Sequence, residues 1–107
     1  MNYNIRFLGT DVDDDLEIMA IEKLDALGKR YNWTINATVF FKKEPKEPVK
    51  GNICEIKLSG YGPLLFATSN EITFEMALNE TINDLKRQLK KRKEKMNPRT
   101  KTKYKSI

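Results

Sequence analysis

The chain of 107 residues has no histidine and a single cysteine, Cys54. Without an imidazole there is no ready base to activate that thiol, and a zinc site of the Cys/His type is excluded. One cysteine cannot close a disulfide within the chain, which agrees with a reducing compartment. No stretch approaches the roughly 20 apolar residues of a membrane span, and the start, Met1 to Phe7, lacks the apolar run of a secretory signal. The expectation is a cytoplasmic protein of one domain with no membrane partner. Gly60 and Gly62 form no phosphate cradle, because neither a lysine nor a helix N-terminus follows directly; they make a turn.

Catalytic and metal sites are equally hard to assemble. Asp11, Asp13, Asp15 and Glu22 fall at positions one, three, five and twelve of a calcium loop. Such a loop needs glycine at its sixth position, where this chain has Leu16, and helical periodicity begins there. Helix capping and dipole complementation explain those aspartates better. Cys54 falls on the inward side of a strand and reads as a small buried hydrophobe. Nothing supplies a general acid, a base and an oxyanion donor together. No enzymatic role, small-molecule substrate, metal or cofactor is expected.

What is present is charge, unevenly placed. Residues 1–85 carry nine basic and fourteen acidic side chains, whereas residues 86–107 carry eleven basic and one acidic, which together give the net +5. Seven of the ten residues from Lys86 to Lys95 are Lys or Arg. That density exceeds what solubility requires and points to a polyanion.

The basic run lies on a helix. From Thr73 to Met96, Leu78, Ile82, Leu85 and Leu89 recur at spacings of four, three and four, with Phe74 and Ala77 continuing the stripe backwards. At a hundred degrees per residue, Arg87, Lys90 and Lys91 fall opposite the stripe, Lys86 and Lys95 on its flanks, and Arg92 and Lys93 beyond the last core leucine. Cations on a cylinder whose other side is packed form a fixed ridge, and phosphates collect on such ridges. A membrane-surface helix would carry bulky apolar residues on its outer side, and this one does not.

Taken in order, Asn2 to Leu8 alternates as a strand. Asp11 to Asp15 then leads into a helix with the stripe Leu16, Met19, Ala20, Leu24, Leu27, ending near Gly28. Trp33 to Phe41 reads as a second strand with its odd-numbered residues inward. Lys42 to Asn52 reads as an exposed connection with two prolines. Ile53 to Leu58 and Leu64 to Ser69 form strands three and four around the turn Gly60 to Pro63, with Leu65, Ala67 and Ser69 facing the helices. The order β-α-β-β-β-α predicts an α+β fold: a four-stranded mixed sheet, strands one and two parallel and the rest an antiparallel meander, with two helices packed on one face. Leu8, Phe40, Ile53 and Phe66 then point to the open face, as cross-strand pairs or as a partner surface. The domain is expected over residues 1–96, with Asn97-Pro98 ending the helix and a mobile basic tail over 97–107.

Three stretches resemble the ribosome hibernation promoting factor and protein Y family, ribosome-associated translation inhibitors also known as sigma modulation proteins. They are Lys23-Leu24 with Leu27, Lys43-Glu44-Pro45, and above all the Phe74 to Lys95 helix with Leu85-Lys86-Arg87-Gln88-Leu89 and the lysines after it. The resemblance spans residues 3–96 and is to the short form of the family, without the C-terminal domain that pairs two ribosomes. It implies a double-stranded-RNA-binding-like fold; off the ribosome the protein is expected to be monomeric. It also implies a seat on the small ribosomal subunit, in the channel for messenger and transfer RNA, blocking initiation in stationary phase or stress. By position, Lys23, Arg87, Gln88, Lys91, Lys93 and Lys95 match polar or basic residues of the family's helices. With Lys86, Lys90 and Arg92 these make the candidate ribosomal-RNA contacts. Glu17 and Ala26 stand where family members often carry a basic residue, so the first helix is expected to contribute less. The competing readings are a general RNA- or DNA-binding protein, and an interaction module that uses the open sheet face to modulate transcription.

Overall fold

The computed structural model describes residues 1–96. Strands β1 (Asn2–Leu8), β2 (Thr34–Lys43), β3 (Asn52–Gly60) and β4 (Gly62–Glu71) and helices α1 (Asp14–Arg30) and α2 (Phe74–Met96) follow one another as β-α-β-β-β-α. The sheet order is β1-β2-β3-β4, with β1 parallel to β2 and the other pairs antiparallel. This is the α+β architecture that the alternating and helical periods predict. The basic tail expected over residues 97–107 lies outside the described residues.

Period-two alternation sorts the sheet into two faces. Ala37, Val39 and Phe41 of β2, Cys54, Ile56 and Leu58 of β3 and Ala67 of β4 are at most 2% exposed. They pack against Leu16, Ala20, Leu24 and Leu27 of α1 and the apolar stripe of α2, while Tyr3, Ile5 and Phe7 of β1 are partly buried at the margin. Each such leucine, isoleucine or phenylalanine stabilises the fold by about 1.5–3 kcal/mol. On the other face Leu8 is 43% and Phe66 44% exposed, as expected.

The aspartates before α1 cap it. The Asp13 carboxylate accepts the Leu16 N–H at 3.1 Å, and Asp14, Asp15 and Glu17 occupy the first turn, where negative charge favours the helix dipole. The helix runs to Arg30, two residues past Gly28. The glycine does not end the helix; a Cβ at position 28 would lie 2.9 Å from the Met1 methyl, a contact that the flexible end of the methionine side chain can relieve.

The odd-inward pattern of β2 fails where the strand begins. A register shift between Thr34 and Asn36 buries Thr34, whose hydroxyl donates to the Tyr31 carbonyl at 2.9 Å, and leaves Ile35 only half-buried. A bulge of this kind inverts the alternation behind it. Opposite it, Gly60 is obligatory, since a Cβ there would collide with the Trp33 carbonyl oxygen. The turn between β3 and β4 is Tyr61 alone, its N–H donating to the Trp33 carbonyl at 3.0 Å. The exposed connection is shorter than Lys42 to Asn52, because β2 and β3 pair as far as Lys43 and Asn52.

Candidate nucleic-acid interface

Helix α2 opens on Thr73, whose hydroxyl oxygen accepts the Met76 N–H at 3.1 Å. Ala77, Leu78, Ile82, Leu85 and Leu89 are at most 3% exposed, so the leucine stripe is packed along its whole length. Thr81 lies within the stripe, fully buried. Its hydroxyl is 2.7 Å from the Ala77 carbonyl of its own helix and 3.2 Å from the Cys54 carbonyl of β3, which ties helix to sheet.

The opposite side is cationic and largely unneutralised. Lys86, Arg87, Lys90, Lys91, Lys93 and Lys95 are exposed. Among the described residues their one ionic contact with a carboxylate is Arg87 to Asp84 at 3.9 Å, between exposed groups. A pair of that kind is worth about 0–1 kcal/mol. The ridge therefore keeps its field.

The ridge has two shoulders. On the α1 side, Lys86, Arg87 and Lys90 share a groove with Ala26, Leu27, Arg30 and Tyr31, about 340 Å³ in volume. The Tyr31 ring anchors this end: Arg30 lies 5.7 Å and Lys93 5.9 Å from its centroid, holding two cations at the seam between the helices. Lys23 is half-buried on α1; seven residues before Arg30, it lies on the same side of the helix, one turn away from the groove. On the β4 side, Lys91 and Lys95 flank a shallower hollow with Gln88, Arg92, Pro63 and Leu65.

Two of the sequence candidates are engaged within the fold. The Gln88 amide donates to the Phe66 carbonyl at 3.0 Å, fastening α2 to the edge strand. Arg92 is half-buried, its guanidinium against Gly62, and its Nε is buried without a hydrogen-bond partner. Arg92 sits one turn beyond Leu89 and almost in line with the leucine stripe, so it turns back toward the hairpin. Arg30 is a groove residue that sequence reasoning missed, because a helix ending near Gly28 leaves it outside. The signal was its spacing of seven from Lys23.

With this geometry in view, the comparisons decide the family. Residues 3–97 match the Sigma 54 modulation protein / S30EA ribosomal protein family. The chain belongs to that family. Among curated proteins none matches the sequence. The fold is similar to that of a ribosomal subunit interface protein from Coxiella burnetii, with a TM-score of 0.77 at 18% identity over 87% of this chain and 98% of that one. It is also similar to the Protein Y N-terminal domain of Thermus thermophilus, with a TM-score of 0.72 at 22% identity over 85% and 98%. For this S30EA-family chain, such likenesses establish the fold, and the family is a non-enzymatic one.

Proposed function

We propose that this S30EA-family protein is a ribosome-associated translation inhibitor, a hibernation factor of the cytoplasm that binds the small ribosomal subunit and occludes the messenger and transfer RNA channel in stationary phase or stress. One observation carries the reading: the α2 cations are exposed and nearly free of carboxylate partners, while the leucines beneath them are fully packed. A ridge held this way meets ribosomal RNA as a surface of fixed shape, without first having to order a loop. Family membership and the likeness in fold to the Coxiella ribosomal subunit interface protein support a ribosomal partner over bulk nucleic acid.

In this reading residues 1–96 are the ribosome-binding domain, and Arg99, Lys101, Lys103 and Lys105 add charge beyond it. Lys86, Arg87, Lys90, Lys91, Lys93 and Lys95 contact RNA phosphates directly, and Lys23 and Arg30 extend the contact onto α1. Gln88 and Arg92 hold α2 in place at the hairpin and offer their remaining donors at the edge. No cofactor takes part, and the protein acts as a monomer off the ribosome. The test is sedimentation with purified small subunits at low salt. The parent pellets with them, and the variant carrying Arg87→Gln, Lys90→Gln and Lys91→Gln stays in the supernatant. Equal retention of the parent by ribosomes and by bulk duplex competitor contradicts the ribosomal assignment.

A further inference from the structure

The face of the sheet turned away from the helices carries its own pattern. Leu8, Phe40, Ile53 and Phe66 lie there, Leu8 and Phe66 well exposed and the other two half-buried. The strand register puts Arg6 beside Phe40 in one row and Lys57 beside Phe66 in the next. Lys57 Nζ is 6.0 Å and Lys42 Nζ 5.6 Å from the centroid of the Phe40 ring. Glu55 is the one acid on this face among the described residues, and Lys42 holds it at 2.9 Å. Arg6 and Lys57 have no carboxylate partner among the described residues.

We propose that this face is a second nucleic-acid surface, distinct from the α2 ridge, that takes single-stranded RNA. Phe66 and Phe40 stack on bases, and Arg6 and Lys57 take the phosphates. The two rings are two strands and two residues apart, about 12 Å, so each receives its own base, with Lys57 between them for the linking phosphate. The Lys57 head near Phe40 is on a flexible stem and moves to the phosphate as a base arrives, while Lys42 stays on Glu55.

Charge decides the occupant. The surplus of cations over the lone, already paired Glu55 is complementary to a phosphate backbone. A second copy of this chain would set Arg6, Lys42 and Lys57 against themselves. An RNA duplex does not present base faces, whereas unpaired bases stack on aromatic side chains exposed on a sheet. Asn4, Thr38 and Thr68, which the register places on this same face, offer both donors and acceptors to base edges.

The experiment measures binding of the full chain to a labelled oligouridine of about eight nucleotides by fluorescence anisotropy, with Phe66→Leu, Phe66→Tyr and Lys57→Gln. Leucine keeps the apolar bulk and loses the ring, and tyrosine restores the ring, so a packing defect and a stacking defect separate. Phe66→Leu and Lys57→Gln are expected to weaken oligouridine binding about tenfold, Phe66→Tyr to bind as the parent does, and thermal melting to confirm that all three fold. Parent-like oligouridine binding by Phe66→Leu and Lys57→Gln overturns the proposal and leaves the face to a protein partner. Equal losses in Phe66→Tyr and Phe66→Leu overturn it as well. This outcome is independent of the ribosomal reading: loss of subunit pelleting in α2 variants that still bind oligouridine supports the sheet platform.

Discussion

Cys54 shows how completely one side chain is absorbed by its surroundings. It has no exposed surface, and burial pushes its thiol up from an ordinary value of 9.0 to about 12. The protonated thiol is therefore inert in the native state. A thiol reagent at neutral pH is expected to label the protein only on unfolding, and rapid labelling of the native chain would contradict this burial. The same shift links stability to pH. The unfolded chain releases the proton above 9.0 and the folded chain only near 12, so the thiol's contribution to stability is intact below 9.0 and lost as pH rises toward about 12. Urea unfolding across that window should show a steeper fall for the parent than for Cys54→Ala; parallel curves would refute the linkage. The burial of Cys54 was legible from alternation alone. The inward turn of Arg92 was legible only in part: its spacing of three from Leu89 sets it near the leucine stripe, but nothing in the sequence announces that Gly62 will leave room for a guanidinium.

Helix α2 divides its labour between its two sides, and the two should respond differently to substitution. Leu85→Ala removes a fully buried side chain and is expected to cost about 2–5 kcal/mol. Lys90→Gln on the outer side should change stability by no more than about 0.5 kcal/mol while weakening RNA binding. Shifts in the urea midpoint decide it, and a leucine deletion as mild as the lysine change would mean that α2 is not clamped to the sheet. The extent and packed side of this helix were legible in the sequence, because a long apolar period leaves no competing structure. Strand β2 was less so. Its bulge at Thr34 arises from the approach of Trp33 to Gly60, a contact between residues 27 apart in sequence, and alternation carries no trace of it. Arg30 escaped because Gly28 imitates a helix stop, whereas the helix runs on through it to Arg30.

The division of charge along the chain becomes a division in space. Asp11 to Asp15 and the start of α2 at Phe74 border one hollow, so both helix N-termini lie at an acidic pole. Arg30 and the α2 lysines meet at the other end, where both helices present their C-termini. Side-chain charges and helix dipoles thus match at each pole. The acidic pole repels a phosphate surface and the basic pole is drawn to it, which orients the molecule during encounter. Net charge alone could not show this. The separation needed the order of charges in the sequence together with a fold that sets the two helices side by side in the same direction.

The ridge of clamped cations is tested most directly by the salt dependence of binding to small ribosomal subunits. Affinity of the parent is expected to fall by about three to five decades between 50 and 200 mM salt if roughly six to ten phosphates are engaged. Replacing Arg87, Lys90 and Lys91 with glutamine should reduce the slope of log affinity against log salt by roughly two to three units. An unchanged slope in that variant, or affinity indifferent to salt in the parent, would contradict an interface built on this ridge.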